Sequence, residues 1–276
     1  MNKKIGLILA LVLVAFLVMG TASAGLFDFL GGNDSGNATT NDENTFIVGF
    51  DAEFPPYGFK DDSGNYTGFD LDLAKEVCER NNWTFVPQPI DWDAKDAEID
   101  SGSIDCIWNG FTIDGRENDY TWSDPYFDNK QVFIVKTDSG INTIDDLKGK
   151  TVETQKDSSA LAALQGDNKT IADTFGTLTE VADYNTAFMD LESGACDAIA
   201  MDIGVGEYDI KNKDNPDDYQ VLDQFITTEK YGIGFKKGND DLKNQVQDTL
   251  NEMFKDGTVA KIAEKYGISQ DALIQP

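Results

Sequence analysis

The chain alternates short apolar segments with helical ones, and this alternation is the strongest constraint on its fold. Three apolar runs predict strands: residues 46–50, 84–86 and 104–108. Between the first two runs, Phe69, Leu73 and Val77 recur every four residues, as on the buried face of a helix. A shorter helix around Asp96 is expected to stop at Gly102. Because strands alternate with helices, we expect an α/β fold with a mainly parallel sheet.

The same order recurs further along the chain. Residues 101–107 (SGSIDCI) and 193–199 (SGACDAI) share serine, glycine, aspartate and isoleucine in register. Each segment predicts the end of a helix, a glycine stop and then a strand. Near the second copy, a strand is predicted at 151–154 and helices at 158–164 and 187–191. The repeat therefore indicates two lobes of similar design.

Two further strands are expected to connect the lobes. Strands are predicted at 131–136 and 231–235, and helices follow at 240–255 and 259–266. The first of these helices carries apolar residues on one face: Leu242, Val246, Leu250 and Phe254. If both helices return to the first lobe, the chain crosses between the lobes twice and forms a hinged cleft. Since ligands of open α/β sheets lie beyond the carboxyl ends of the strands, we expect the binding site between the lobes.

The N-terminus has the pattern of an export signal. Lys3 and Lys4 precede an apolar run of 15 residues, 5–19, and residues 22–24 (ASA) have the spacing of a signal-peptidase site. The run is shorter than the ~20 residues that span a bilayer. We interpret it as a cleaved signal peptide, with an uncleaved membrane anchor as the alternative. Both interpretations predict an extracytoplasmic location, in the periplasm or at the cell surface.

These signals predict the organisation of the whole chain. Residues after the signal peptide are mainly Gly, Asn, Asp, Ser and Thr, a composition that cannot bury a core. The predicted segments are a signal peptide (1–24), a flexible tether (25–44), lobe 1 (45–133 and 231–276), lobe 2 (137–228) and hinge strands near 134–136 and 229–230.

Charge and composition exclude several functions. The net charge of −28, from 22 basic and 50 acidic residues, repels phosphate backbones, so we expect no nucleic-acid partner. The chain has no histidine, the commonest metal ligand and the usual general base. We therefore expect no metal, no cofactor and no histidine-dependent catalysis. The only arginines are Arg80 and Arg116.

The three cysteines fit no metal-binding spacing. They are Cys78, Cys106 and Cys196. Export makes a disulfide between Cys78 and Cys106 one interpretation, and three buried free thiols the other.

Four motifs resemble one protein family. They are residues 51–57 (DAEFPPY), 68–74 (GFDLDLA), 108–112 (WNGFT) and 123–126 (SDPY). In this order they are similar to the amino-acid solute-binding proteins of ABC importers, the polar amino acid family with histidine-, glutamine- and lysine/arginine/ornithine-binding members. The resemblance runs from about Phe46 to Gly267.

The resemblance implies a fold and a function. The fold would be the two-lobed, type II periplasmic-binding-protein-like fold with a hinged interlobe cleft. The function would be capture of a free polar L-amino acid by lobe closure and delivery to an ABC importer permease, with a basic amino acid, histidine or glutamine favoured. We expect a monomer that meets a membrane only through the permease or an uncleaved N-terminal segment.

Four residues are expected to hold the ligand carboxylate. Arg116 offers a planar fork suited to a carboxylate, and Thr112 can add a hydroxyl and a backbone N–H. Ser158 and Ser159 open a predicted helix, whose free N–H groups favour an anion. The resemblance implies that the ligand carboxylate lies between the arginine and this helix start.

The ammonium group and the side chain of the ligand need other partners. The resemblance implies that Asp202 pairs with the ammonium, helped by the carbonyl of Gly110 and the hydroxyl of Thr112. It also implies that Phe54 and Trp92 enclose the ligand side chain, where an aromatic face suits a cationic or planar polar group. Asp51 resembles the residue that meets the far end of that side chain, and a carboxylate there disfavours an acidic ligand.

Two departures from the family pattern affect this site. The connection from Thr112 to Arg116 is one residue shorter than is typical. Asp157 lies where many members have glycine, and a carboxylate beside an anion site is unfavourable unless it points away.

Other functions on this scaffold remain as alternatives. One is an enzyme similar to cyclohexadienyl dehydratases, and another is a sensory co-receptor. We expect a binding protein rather than an enzyme, because the predicted carboxylate and ammonium contacts leave no residue over as an obvious catalyst.

Overall fold

A computed structural model describes residues 44–275. The predicted signal peptide and residues 25–43 of the predicted tether lie outside the described part of the chain. The strands are β1 (Thr45–Phe50), β2 (Glu53–Phe54), β3 (Gly58–Lys60), β4 (Tyr66–Thr67), β5 (Thr84–Pro89), β6 (Cys106–Thr112), β7 (Thr121–Trp122), β8 (Phe127–Lys136), β9 (Thr151–Gln155), β10 (Thr177–Val181), β11 (Ala198–Asp202) and β12 (Tyr219–Phe235). The helices are α1 (Phe69–Asn81), α2 (Lys95–Ser101), α3 (Ser159–Gln165), α4 (Lys169–Ala172), α5 (Tyr184–Ser193), α6 (Ile203–Lys211), α7 (Asp240–Lys255) and α8 (Thr258–Lys265).

The large sheet consists of two parallel sets of strands joined by two antiparallel strands. Its order is β10-β9-β11-β8-β12-β6-β1-β5, and β7 pairs with β12. In lobe 1, β1 pairs in parallel with β5 and β6, and in lobe 2, β9 pairs in parallel with β10 and β11. Strands β8 and β12 run antiparallel to each other between these sets. The expected two-lobed α/β fold is confirmed.

The sequence repeat has the same structure in each lobe. Gly102 and Gly194 end α2 and α5 with φ values of 79° and 78°, a left-handed conformation that suits glycine. Three residues further on, Asp105 accepts a backbone N–H of β1 at 2.7 Å, and Asp197 accepts one of β9 at 2.8 Å. Each aspartate therefore fixes the start of its strand, β6 or β11, against the first strand of its lobe.

The crossing strands are longer than predicted. Strand β12 has 17 residues and β8 has 10, and they pair from Tyr219 opposite Lys136 to Tyr231 opposite Phe127. Both strands pass without a break through the expected lobe borders, so the exact borders and hinge positions stay predictions. The pairing register of β12 shifts between Val221 and Thr227.

The two C-terminal helices pack on α1 of lobe 1. Arg80 of α1 forms an ion pair with Asp256 at 2.8 Å, and Asn81 donates to the hydroxyl of Thr249 at 2.8 Å. Val246 and Leu250, predicted to lie on the inner face of α7, are fully buried. These contacts bring the C-terminal part of the chain onto lobe 1.

The cysteines are three buried free thiols: Cys78, Cys106 and Cys196. Within residues 44–275, no helix combines the length and the apolar character needed to cross a bilayer. The same part of the chain contains no group of three or more acidic or cysteine side chains that could hold a metal ion.

Candidate functional site

A small cavity lies between the lobes, where the strand ends of both face each other. Its lining side chains nearly fill it, and only about 10 Å³ of it is open to a water molecule. It is lined by Phe54, Trp92, Asn109, Gly110, Thr112, Arg116, Gln155, Ser158, Ser159 and Asp202. The fold thus brings together all of the predicted site residues except Asp51, and it adds Asn109 and Gln155.

On the lobe 1 side, β6 extends further than predicted and carries part of the site. The expected end of this strand at 108 is wrong, because Gly110 and Thr112 belong to the strand itself. Gly110 has a φ of +56°, and a Cβ there would lie 2.8 Å from the ring of Phe54. Only glycine fits this position without strain.

A buried carboxylate fixes the Gly110 backbone. Asp70, at the start of α1, accepts the N–H of Gly110 at 2.6 Å and the hydroxyl of Tyr126 at 2.8 Å. Burial raises the pKa of Asp70 to about 7. Sequence reasoning missed this role, and the only available signal was the place of Asp70 inside the GFD motif.

Arg116 lies at the junction of the two lobes. Its guanidinium donates to the carbonyl of Thr112 at 3.3 Å and to the carbonyl of Asp157 at 3.0 Å. It also lies over the ring of Phe111, 5.3 Å from the centroid. The guanidinium is therefore held beside the cavity by backbone and aromatic contacts from both lobes.

The carboxylate of Asp157 has a cation as its partner, so it is not an unpaired negative charge beside the start of α3. Asp157 has a φ of 54°, and its side chain forms an ion pair with Lys95. Lys95 is 1% exposed, and its ammonium lies 5.1 Å from the centroid of the Trp92 ring. One face of Trp92 thus already has a cation over it, a contact that sequence reasoning missed.

The two serines at the start of α3 use their hydroxyls within the protein. Ser158 is the N-cap residue, and its hydroxyl oxygen accepts the N–H of Leu161 at 3.1 Å. The hydroxyl of Ser159 donates to the carboxylate of Glu229. The first backbone N–H groups of the helix are therefore the groups left to face an anion.

Asp202 ends β11 and is buried, with 4% exposure. One carboxylate oxygen accepts hydrogen bonds from Asn129 at 2.7 Å, Gln131 at 2.7 Å and Tyr231 at 2.6 Å. Burial, and secondly the charge of Glu229, raises the pKa of Asp202 to about 7. This carboxylate is rigidly held and faces the cavity.

Asp51 lies next to the cavity but does not line it. Its side chain is 7% exposed and accepts a hydrogen bond from Gln155 of lobe 2 at 2.6 Å. Burial raises its pKa to about 6. Gln155 stands between Asp51 and the cavity, and Asp51 lines a neighbouring opening together with Trp92 and Asp183. Its contact with a ligand side chain stays a prediction.

Comparisons with known proteins point to one family. Residues 46–269 match the family model of the bacterial extracellular solute-binding proteins, family 3. The chain is 33% identical over 229 residues to the L-cystine-binding protein TcyJ of Escherichia coli K12. The matched residues cover 80% of this chain and 82% of that protein.

Two solved structures extend the comparison. A substrate-binding protein of an ABC uptake transporter from Streptococcus pneumoniae, with bound histidine, has a TM-score of 0.78 and 33% identity, covering 81% of this chain and 92% of that one. An ancestral arginine-binding protein bound to arginine has a TM-score of 0.73 and 36% identity, covering 81% and 98%. The three similar proteins thus differ in the amino acid that they bind.

Proposed function

The chain belongs to the bacterial extracellular solute-binding proteins, family 3, and on this premise we propose that it captures a free polar L-amino acid outside the cytoplasm and delivers it to the permease of an ABC importer. Capture would take place by closure of the two lobes over the ligand. The proposed lobes are residues 45–133 with 231–276 and residues 137–228. We propose that the protein acts as a monomer.

One observation carries this proposal: a guanidinium and a carboxylate converge on one interlobe cavity. Arg116 and Asp202 both line it. A free amino acid carries a carboxylate and an ammonium on adjacent atoms, and both lose water when the cleft closes. A site with one fixed cation and one fixed anion gives each group a charge-assisted partner. In the proposed mode, the ligand carboxylate meets Arg116 and the helix start at Ser159, and the ammonium meets Asp202 and the carbonyl of Gly110.

For the ligand side chain we propose a basic amino acid, histidine or glutamine. Support comes from the carboxylate of Asp51. It accepts a hydrogen bond from Gln155, and Gln155 lines the cavity. The bound histidine and arginine of the two similar structures agree with this choice, while the cystine-binding relative widens the range to be tested.

We propose binding without turnover, as in the named relatives, which are binding proteins. The competing function is a dehydratase-like enzyme on the same scaffold. Mass spectrometry after prolonged incubation distinguishes them, because a binding protein returns its ligand unchanged.

A thermal-shift screen tests the proposed function. The purified protein is melted with each of the protein amino acids, L-ornithine and L-cystine, and a ligand that binds the folded state raises the melting temperature. We expect a polar amino acid to raise it and Arg116→Ala to abolish that rise. Arg80→Ala is the matched control, since Arg80 lies on α1 and pairs with Asp256, away from the cavity. If no amino acid raises the melting temperature, the proposal is wrong.

A further inference from the structure

Glu229 is a buried carboxylate where lobe 1, lobe 2 and both crossing strands meet. It lies in β12 and is 4% exposed. One oxygen accepts hydrogen bonds from Thr112 at 2.9 Å, Asn129 at 2.8 Å and Gln131 at 2.7 Å, and the other accepts the hydroxyl of Ser159. A single side chain therefore joins β6 of lobe 1, β8, and α3 of lobe 2.

Glu229 and Asp202 are held as a pair. The side-chain amides of Asn129 and Gln131 each donate to an oxygen of Asp202 and to an oxygen of Glu229. The remaining donors to the pair are three hydroxyl groups, those of Thr112, Ser159 and Tyr231. All of these donors are neutral.

The carboxylate pair lacks a cation in the described part of the chain. None of the ion pairs among residues 44–275 includes Asp202 or Glu229. Arg116 lines the same cavity, but its guanidinium donates to backbone carbonyls of Thr112 and Asp157. Buried like charges without a counter-ion are unfavourable, so the pair favours a ligand that brings a positive charge.

The hydrogen bond from Thr112 also sets the direction in which this residue acts. Because its hydroxyl hydrogen goes to Glu229, the oxygen presents only lone pairs to the cavity. It can then accept a hydrogen bond from an ammonium but cannot donate one to a carboxylate. The hydroxyl of Ser159 is fixed in the same way.

We propose that Glu229 is a positioning residue of the ligand site: with Asp202 it forms a two-carboxylate cradle that a ligand ammonium completes, and it turns the Thr112 hydroxyl into an acceptor for that ammonium. This inference rests on the proposed function. It identifies the class of ligand as one with a free cationic amine beside its carboxylate, and it orients that ligand with the amine toward β12.

The cradle makes ligand binding depend on pH. The groups that face Asp202 are Glu229 and Tyr231 from β12, Tyr57 from the segment before β3, Tyr184 from α5 and the Arg116 guanidinium across the cavity. Without ligand, burial and Glu229 raise the pKa of Asp202 to about 7. Because the ligand ammonium favours the ionised carboxylate, binding releases a proton near neutral pH, and affinity falls as the pH drops below 7.

Calorimetry across pH 5.5–8 tests the cradle, with L-arginine, L-histidine, L-glutamine and L-cystine as probes. We expect Glu229→Gln to weaken binding of the best probe by at least about tenfold at the upper end of this range. The variant also removes the like charge of Glu229 beside Asp202. It should therefore lower the pH midpoint, which is the pH at which the affinity lies halfway between its low-pH and high-pH values, by roughly half a unit or more. A purely structural role would weaken binding without moving this midpoint.

A control variant and a substitute variant complete the calorimetric test of Glu229. Asp223→Asn removes an exposed acid from the same strand and should change neither quantity. If Glu229→Gln does not fold, Thr112→Val replaces it, because it removes the acceptor, and Thr112→Ser should restore binding. If the wild-type protein binds but Glu229→Gln keeps the affinity and the midpoint, or its substitute Thr112→Val keeps the affinity, the inference alone is overturned. If the wild-type protein binds none of the probes, the inference falls together with the proposed ligand class.

Discussion

Lys95 and Asp157 form an ion pair that joins the two lobes beside the cavity. The lysine side chain is 2% exposed and the aspartate side chain 49%. Burial lowers the pKa of Lys95, and the charge of Asp157 opposes this effect. The pair therefore stabilises the arrangement in which the lobes are together.

Removal of the Asp157 charge should weaken ligand binding, because it leaves Lys95 buried without its counter-ion only when the lobes are together. Since Asp157 is half exposed, we expect Asp157→Asn to cost roughly 1 kcal/mol, about fivefold in affinity by calorimetry. Lys95→Met in the same chain should recover most of that loss. Asp173→Asn, which breaks an exposed pair with Lys169, is the control. Equal ligand affinities of Asp157→Asn and the wild-type protein would show that the ion pair of Lys95 and Asp157 does not stabilise the arrangement in which the lobes are together.

Gly110 should be far less tolerant of substitution than another left-handed glycine. Gly110→Ala adds a Cβ 2.8 Å from the Phe54 ring, whereas at Gly102, with φ of 79°, nothing lies within 4 Å. Both variants carry backbone strain of about 1 kcal/mol, and overpacking should add about 1–3 kcal/mol at Gly110 alone. Urea unfolding measures the difference in free energy of unfolding. If Gly110→Ala and Gly102→Ala lose the same free energy of unfolding, the ring of Phe54 does not restrict the side chain at position 110.

Asp202 should make the ligand-free protein less stable as the pH rises from about 4 to about 7. The pKa of Asp202 is raised to about 7 in the folded state, above the usual 3.8. Folding therefore binds a proton between these values, and this contribution is full below about pH 4 and lost above pH 7. Asp202→Asn removes the penalty, so at pH 8 it should melt at a higher temperature than the wild-type protein while failing to bind ligand. A lower melting temperature for this variant at pH 8 would contradict the assigned electrostatics.

Asp51 should affect ligand preference rather than affinity in general. Its carboxylate is buried and meets the cavity through Gln155. Asp51→Asn at pH 8, where the carboxylate is ionised, should weaken L-arginine or L-lysine more than L-glutamine. Competition binding of the three amino acids measures the preference. An unchanged ratio of affinities would remove Asp51 from the ligand side-chain site.

The sequence predicted the repeat for a physical reason, whereas most of the cavity residues were implied by the resemblance to one family. Glycine stops such as Gly102 and Gly194 reflect a left-handed backbone that few other residues adopt. An arginine is conspicuous in a chain with two of them, but it is the family resemblance that assigns Arg116 to the ligand carboxylate.

The carboxylate cradle could not be found by the same reasoning. Asn129 and Gln131 alternate with Asp128 and Lys130, so polar residues occupy both faces of β8 there and the pattern gives no sign of burial. Glu229 likewise lies in a polar stretch of β12. These three side chains are buried because two lobes and two crossing strands meet around them, which is a consequence of tertiary structure alone.

The central claim is that Arg116 binds the carboxylate of a free amino acid between the lobes. The most direct measurement is calorimetry of the best amino acid and of its α-carboxamide with the wild-type protein and Arg116→Ala. A charge-assisted forked contact is worth about 3 kcal/mol, so the wild-type protein should prefer the carboxylate by about 100-fold, and Arg116→Ala should bind both compounds weakly and almost equally. A variant that still binds the amino acid tightly and still rejects the carboxamide would contradict the account.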